Sequence, residues 1–159
     1  MAKSALEKFR SSKDPYIIVL DKDMPWATKG QKMVISSPIE VDAMIRRVPK
    51  GKIVRFDDLR TAIAKKHKAH ITCPLTAGIF LNIASAAAEE AKAAGEKKTL
   101  AWWRALKSGD ELNPKAPGGE AAHRERLEAE GVAVGPKPRG KKLIVTDAEK
   151  RAVAVSSLI

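Results

Sequence analysis

Only one cysteine, Cys73, occurs among the 159 residues. That excludes an internal disulfide and leaves too few thiolates for a closed zinc cage. The three histidines have no metal-ligand spacing, so neither a metal nor another cofactor is expected. No apolar run approaches the ~18 residues a bilayer crossing takes. The opening MAKSALEKFRSSKDP has no signal-peptide h-region, and the expectation is a cytoplasmic protein with no membrane partner. The glycine signatures of dinucleotide and P-loop sites are missing, as is the H-E-x-x-H of metalloproteases. There is no internal repeat and no heptad array.

What the chain has is positive charge. Thirty Lys and Arg stand against nineteen Asp and Glu, for a net +11 and a pI near 9.9. A composition of 44% apolar and 31% charged residues suits one folded core. The charge favours a polyanionic partner, nucleic acid first. It is also uneven. Residues 36–73 carry a net +5, residues 74–95 a net −1 and residues 120–159 a net +2. A basic block followed by a nearly uncharged segment suggests a phosphate-gripping shoulder beside a groove-entering element.

The expected elements follow from caps and periodicity. Tyr16–Leu20 reads as a short strand and Lys32–Ile35 as extended, whereas residues 1–15 are polar enough to fray. Ser37, Pro38 and Glu40 form a helix start with a capping box, and Ile39, Met44, Ile45 and Val48 give its apolar stripe. Pro49-Lys50-Gly51-Lys52 breaks that helix, and Ile53–Phe56 is briefly extended. Asp57 caps a second helix with Leu59, Ala62 and Ile63 inward. Thr72 caps a long third helix ending at Gly95, with Leu75, Ile79, Ile83, Ala86 and Ala87 as its buried stripe. Thr99–Leu106 is β-type, Asn113–Gly119 a rigid loop, and Glu120–Glu130 a fourth helix stopped by Gly131. Two helices, a linker and a third helix with a small-residue front match a helix-turn-helix plan, with the aromatic segment and glycine loop as a wing. The expected fold class is mainly α with a small β component, a winged helix-turn-helix-like domain.

Three segments, in order, resemble one family. Val41–Phe56 (VDAMIRRVPKGKIVRF) is similar to the opening of the DNA-binding domain of the O6-alkylguanine-DNA alkyltransferases. Thr99–Gly119 resembles the segment with that family's Pro-Cys-His-Arg motif and glycine loop, and Arg124–Gly131 resembles its closing Leu-x-x-Glu-Gly helix. The resemblance divides the chain into an arm (residues 1–36), a DNA-binding domain (residues 37–132) and a basic C-terminal extension (residues 133–159). The family's acceptor cysteine falls on Trp102, its proline on Ala101 and its histidine on Trp103; Arg104 is retained. An indole offers no thiolate, so methyl transfer at this position is excluded. The alkyltransferase-like proteins, which bind alkylated DNA without repairing it, also carry tryptophan there. The resemblance therefore implies a non-catalytic, monomeric DNA-binding protein that recognises alkylated guanine or DNA structure, with a repair protein as a further partner.

The resemblance also implies site residues. Glu130 matches the family's glutamate in the closing helix. Phe56 falls where the family has a tyrosine near the target phosphate, and Thr76 where it has the arginine that replaces the flipped base. Trp102, Trp103, Arg104 and Glu130 are the candidate base pocket, since an aromatic face stacks on a base at ~1–3 kcal/mol. Arg46, Arg47, Lys50, Lys52 and Arg55 are candidate phosphate contacts, with Thr76, Ala77, Gly78 and Asn82 facing a groove. For each a plainer role is equally open: a salt bridge for Arg104, a solvated charge run for the lysines, close packing for Ala77 and Gly78. Minor-groove entry would leave little sequence specificity. Two other functions stay open: a regulatory nucleic-acid binder without lesion recognition, and a methyltransferase with Cys73 as acceptor.

Overall fold

The computed structural model describes residues 3–159. Its elements, in chain order, are α1 (Ala5–Arg10), β1 (Tyr16–Val19), β2 (Lys32–Ile35), α2 (Pro38–Ile45), α3 (Phe56–Lys66), β3 (Ile71–Thr72), α4 (Pro74–Ala93), α5 (Gly119–Ala129), β4 (Val134–Pro136), β5 (Leu143–Val145) and α6 (Ala148–Arg151). Short 3-10 turns lie at Trp102–Arg104, Ser108–Asp110 and Val155–Leu158. The class is mainly α with a small β component. No described helix is long and apolar enough to cross a membrane.

The N-terminal polar stretch forms α1, where fraying was expected; Met1 and Ala2 lie outside the described residues. Ser4 accepts from the Glu7 N–H at 3.1 Å, and the Leu6 N–H donates to Glu90 on α4 at 3.0 Å. The strands form a sheet of order β1-β2-β3, with β1 antiparallel and β3 parallel to β2. The parallel pair delivers the chain straight into α4: the Cys73 N–H donates to the Val34 carbonyl at 3.1 Å.

Ser37 caps α2 as its sequence predicts, accepting from the Glu40 N–H at 3.0 Å. The reciprocal half of the capping box is replaced. Glu40 is buried and takes Ser36 (2.6 Å), His67 (2.6 Å) and Lys66 (2.9 Å) as partners. Burial pushes its carboxyl up, but those hydrogen bonds outweigh burial and hold it below the ordinary carboxylate range. Two further caps differ from expectation. Arg55, not Asp57, is the N-cap of α3; Asp57 and Asp58 complement the helix dipole from the first turn instead. Cys73 takes the N-cap of α4, because the Thr72 hydroxyl donates to the Arg60 carbonyl at 2.7 Å.

The largest correction concerns α4. Leu75 and Ile79, expected in its buried stripe, are 61% and 55% exposed, and Ile39 on α2 is 47% exposed. Ala77, Leu81, Ala84, Ala88 and Ala91 face inward. The front of α4 is apolar around most of its circumference, so period alone does not choose a face. The alanine side is the one on which α1 and α2 pack closely.

One core joins α2, α3, α4, the Trp102–Arg104 turn and Leu158. A second joins Ile53, Leu106, Leu112, Leu127, Val132, Val145 and Ala148. Residues 133–159, read from the sequence as an extension, thus complete both cores. Residues 99–106 are not a strand. Trp102–Arg104 is a 3-10 turn, and Ala105 makes a single parallel bridge to Val54. Within the expected wing there are isolated bridges, Lys107–Glu111 and Glu111–Ile144, while the hairpin of the C-terminal half is β4–β5.

Candidate nucleic-acid interface

Arg104 is fixed by three groups. Its Nε and Nη2 donate to the two Glu130 oxygens at 3.0 and 2.8 Å, and Nη1 donates to the Val48 carbonyl at 2.8 Å. Glu130 also accepts the Gly51 N–H at 3.2 Å. Burial pushes the Glu130 carboxyl up, and the hydrogen bonds from Arg104 and Gly51 more than reverse it, holding the group ionised. This pair ties the turn after α2, the 3-10 turn and the end of α5 together. Gly51 has φ +82°, a value that disfavours a side chain, and there the backbone comes up to Glu130. The retained arginine is thus engaged in a structural clamp, with no free fork for phosphate.

Trp102 is 2% exposed, and its indole N–H donates to Glu89 at 2.8 Å. Its ring stands edge-on to Trp103 and to His123, with no face open to a base. Trp103 is half-buried beneath Arg126, whose guanidinium lies 4.9 Å from its ring centre and bridges to Glu89 at 3.0 Å. The four residues read as a base pocket therefore form a packed wall. Phe56 is likewise buried, with the Lys107 ammonium 4.9 Å from its ring centre.

His123 is the hinge pin of that wall. It is 1% exposed. Nδ1 accepts the Asn113 N–H at 3.0 Å, so Nε2 carries the proton and donates to the Trp103 carbonyl at 2.8 Å. Burial lowers its pKa to about 4, against a smaller opposing effect of the Trp103 carbonyl. It is neutral at pH 7.

The open surface lies beside this wall. Leu75, Ile79 and Asn82 on α4 face Lys107 and Lys115 across a concavity of about 260 Å³. Asn113 holds its rim: its amide donates to Asn82 at 2.7 Å and its carbonyl oxygen accepts the Lys115 N–H at 2.9 Å. Gly78 is what lets Lys107 in, since a Cβ there would stand 3.3 Å from the Lys107 ammonium. Burial first, and repulsion from Lys115 second, lower the Lys107 pKa. A phosphate between the two ammoniums would relieve that repulsion.

The ten expected DNA contacts are scattered. Lys50 and Lys52 are exposed. Arg46 pairs with Asp42, Arg55 pairs with Asp110, and Arg47 donates to the Ser157 and Ile159 carbonyls. Ala77 and Gly78 are buried, and Thr76 is half-buried. Of the groove-facing four, Gly78 and Asn82 line the concavity, whose remaining side Leu75, Ile79, Lys107 and Lys115 provide. Sequence reasoning passed over those four. A usable signal was that small, tightly packing residues such as Ala77 belong to a close helix contact, which turns the larger apolar neighbours outward. Cys73 is 6% exposed, packed with Leu20 and Met33, and offers no open thiol. Among the described residues there is no cluster of metal-ligating groups. Compared with models of protein families, with curated proteins and with solved structures, the chain matches none.

Proposed function

We propose that this protein is a non-catalytic DNA-binding protein of the alkyltransferase-like kind, which seats the N-terminal half of α4 and the adjoining 107–115 segment on duplex DNA as a winged helix-turn-helix would. The observation that carries the reading is the pair Leu75 and Ile79, exposed on a helix front and flanked by Lys107 and Lys115. Apolar side chains at a minor groove act as wedges between base steps, and ammonium groups beside them meet phosphate. The net charge of +11 supports a polyanion partner. The ordered likeness of residues 37–132 to the alkyltransferase-like proteins supports alkylated guanine as the lesion. With no acceptor thiol at Trp102, a bound lesion would be passed to a repair protein. The reading carries a cytoplasmic location with it.

A second reading, DNA binding without lesion recognition, is favoured by the burial of Trp102. One titration separates the two: a duplex containing guanine or O6-methylguanine, at two salt concentrations. Tighter binding of the methylated duplex is expected. Losing Lys107 and Lys115 together should weaken binding to either duplex and reduce the salt slope by about 2. Equal affinity for the two duplexes selects the second reading, and no binding at low salt overturns both.

A further inference from the structure

The outer edge of β1 has no partner strand among the described residues, and all four of its residues are exposed. We propose that two copies of this chain pair through β1, antiparallel and centred on Ile18, to make one continuous six-stranded sheet. The inference is independent of the DNA reading, and it departs from the monomer expected from the sequence.

The backbone restricts the register. The Leu20 N–H donates to Gln31 and its carbonyl accepts from Gly30, so the polar backbone groups of Leu20 face β2. By alternation those of Ile18 and Tyr16 also face β2, and those of Ile17 and Val19 point out to the free edge. Antiparallel pairing must join outward-facing residues to outward-facing residues, so a two-fold axis can fall only at a residue. A centre at Tyr16 would set Ile17 against Pro15, which has no N–H, so three of the four strand residues remain as centres, Ile17, Ile18 and Val19.

Charge selects among them. Centred on Ile18, each Ile17 exchanges two backbone hydrogen bonds with Val19 of the second copy, and Ile18 meets Ile18 in the adjoining non-bonded pair. Past the strand ends, where Lys13 and Asp14 precede β1 and the chain bends at Asp21 and Lys22, the same register brings Lys13 toward Asp23 and Asp14 toward Lys22, two attractive pairs at each end. These four charged side chains are exposed, and none forms an ion pair among the described residues; Asp23 Oδ1 accepts the Lys29 N–H at 2.8 Å and leaves its second oxygen for Lys13. A centre at Ile17 keeps one attractive pair, Lys13 with Asp21, and leaves Asp14 opposite Leu20. A centre at Val19 puts Lys22 opposite Tyr16 and Asp21 opposite Ile17. Pro15, which has no N–H, lies at the outward-facing start of the strand, where a missing donor costs least.

The test is sedimentation equilibrium of the full chain up to about 1 mM, which detects association as weak as ~4 kcal/mol. A monomer–dimer equilibrium is expected. Asp14→Lys sets like charges opposite each other twice per dimer and should raise the dissociation constant about ten-fold. Adding Lys22→Asp should restore the wild-type value, which a merely destabilised fold would not do. Ile17→Pro removes an outward donor only; it should abolish the dimer while the far-UV spectrum stays that of the wild type. Hydrogen exchange gives a residue-level readout: Ile17 and Val19 amides should gain protection with concentration. A monomer throughout, or a dimer indifferent to these substitutions, overturns the proposal.

Discussion

Acidification should weaken the fold through His123, and the window can be worked out from its surroundings. In the native protein the imidazole is neutral, 1% exposed and fully hydrogen-bonded, with a pKa of about 4. In the unfolded chain the value is the ordinary 6.5. The unfolded state therefore takes up the proton first as pH falls, and stability is lost between about 6.5 and 4, levelling off below. The pKa difference corresponds to about 3 kcal/mol. Urea unfolding at pH 7.5, 6, 5 and 4 measures it, with His123→Gln as reference, because the other titrating groups cancel in the difference. The variant should be less stable at pH 7.5 by about 1–3 kcal/mol, having lost one well-made buried hydrogen bond. Its deficit should shrink toward zero or reverse by pH 4. An unchanged deficit across that range would refute the reasoning, as would an NMR titration of His123 with a midpoint near 6.5. The effect reaches the site. His123 holds Asn113, which sets the rim beside Lys115, so the rim should keep its shape at pH 5, where the native imidazole is still mostly neutral, and loosen as pH falls through about 4.

Other expectations follow from single contacts. Arg104→Met leaves the Glu130 carboxylate buried with the Gly51 N–H as its remaining described donor and should cost about 3–5 kcal/mol in denaturant unfolding; a further Glu130→Leu should recover most of it. Gly118→Ala meets both φ +81° and an Ala122 Cβ at 2.7 Å, and should lower stability by ~2 kcal/mol or more in a melt. Gly78→Ala pushes only on the flexible end of Lys107; unfolding should change by less than ~1 kcal/mol while duplex affinity falls. Cys73 should react with a thiol reagent over 100-fold more slowly in the native protein than in urea, by the order expected for a buried thiol.

Local signals placed much of the fold in advance. Tyr16–Val19, Lys32–Ile35 and the four principal helices lie, within a few residues of their ends, where β-branched runs, polar starts and glycine stops put them. Those cues are short-range, and neighbouring residues satisfy them. The choice of buried face on α4 was not legible, because both candidate faces are apolar and the deciding contact comes from α1, eighty residues earlier in sequence. The Trp102–Arg104 segment escaped for a similar reason: the chain turns there, where Arg104 meets Glu130, and only then does Ala105 make its one bridge to Val54. Of the candidate site, Arg104 and Glu130 were each singled out, Arg104 with a salt bridge as its plainer role, but that they clamp one another is visible only in the fold. Leu75, Ile79, Lys107 and Lys115 come together only in three dimensions.

The direct join between β3 and α4 has a thermodynamic consequence. In a helix carried on a free turn, orientation is lost as entropy in the unbound protein and must be recovered on every encounter with a ligand. Here the Cys73 N–H is bonded to Val34 in the centre of the sheet, and Pro74 fixes the first dihedral of α4. The orientation of Leu75 and Ile79 is settled when the chain folds, so association has little left to immobilise. Substitutions that disturb Val34, a fully buried residue of the central strand, would then loosen the seat of α4 and let Leu75 and Ile79 wander.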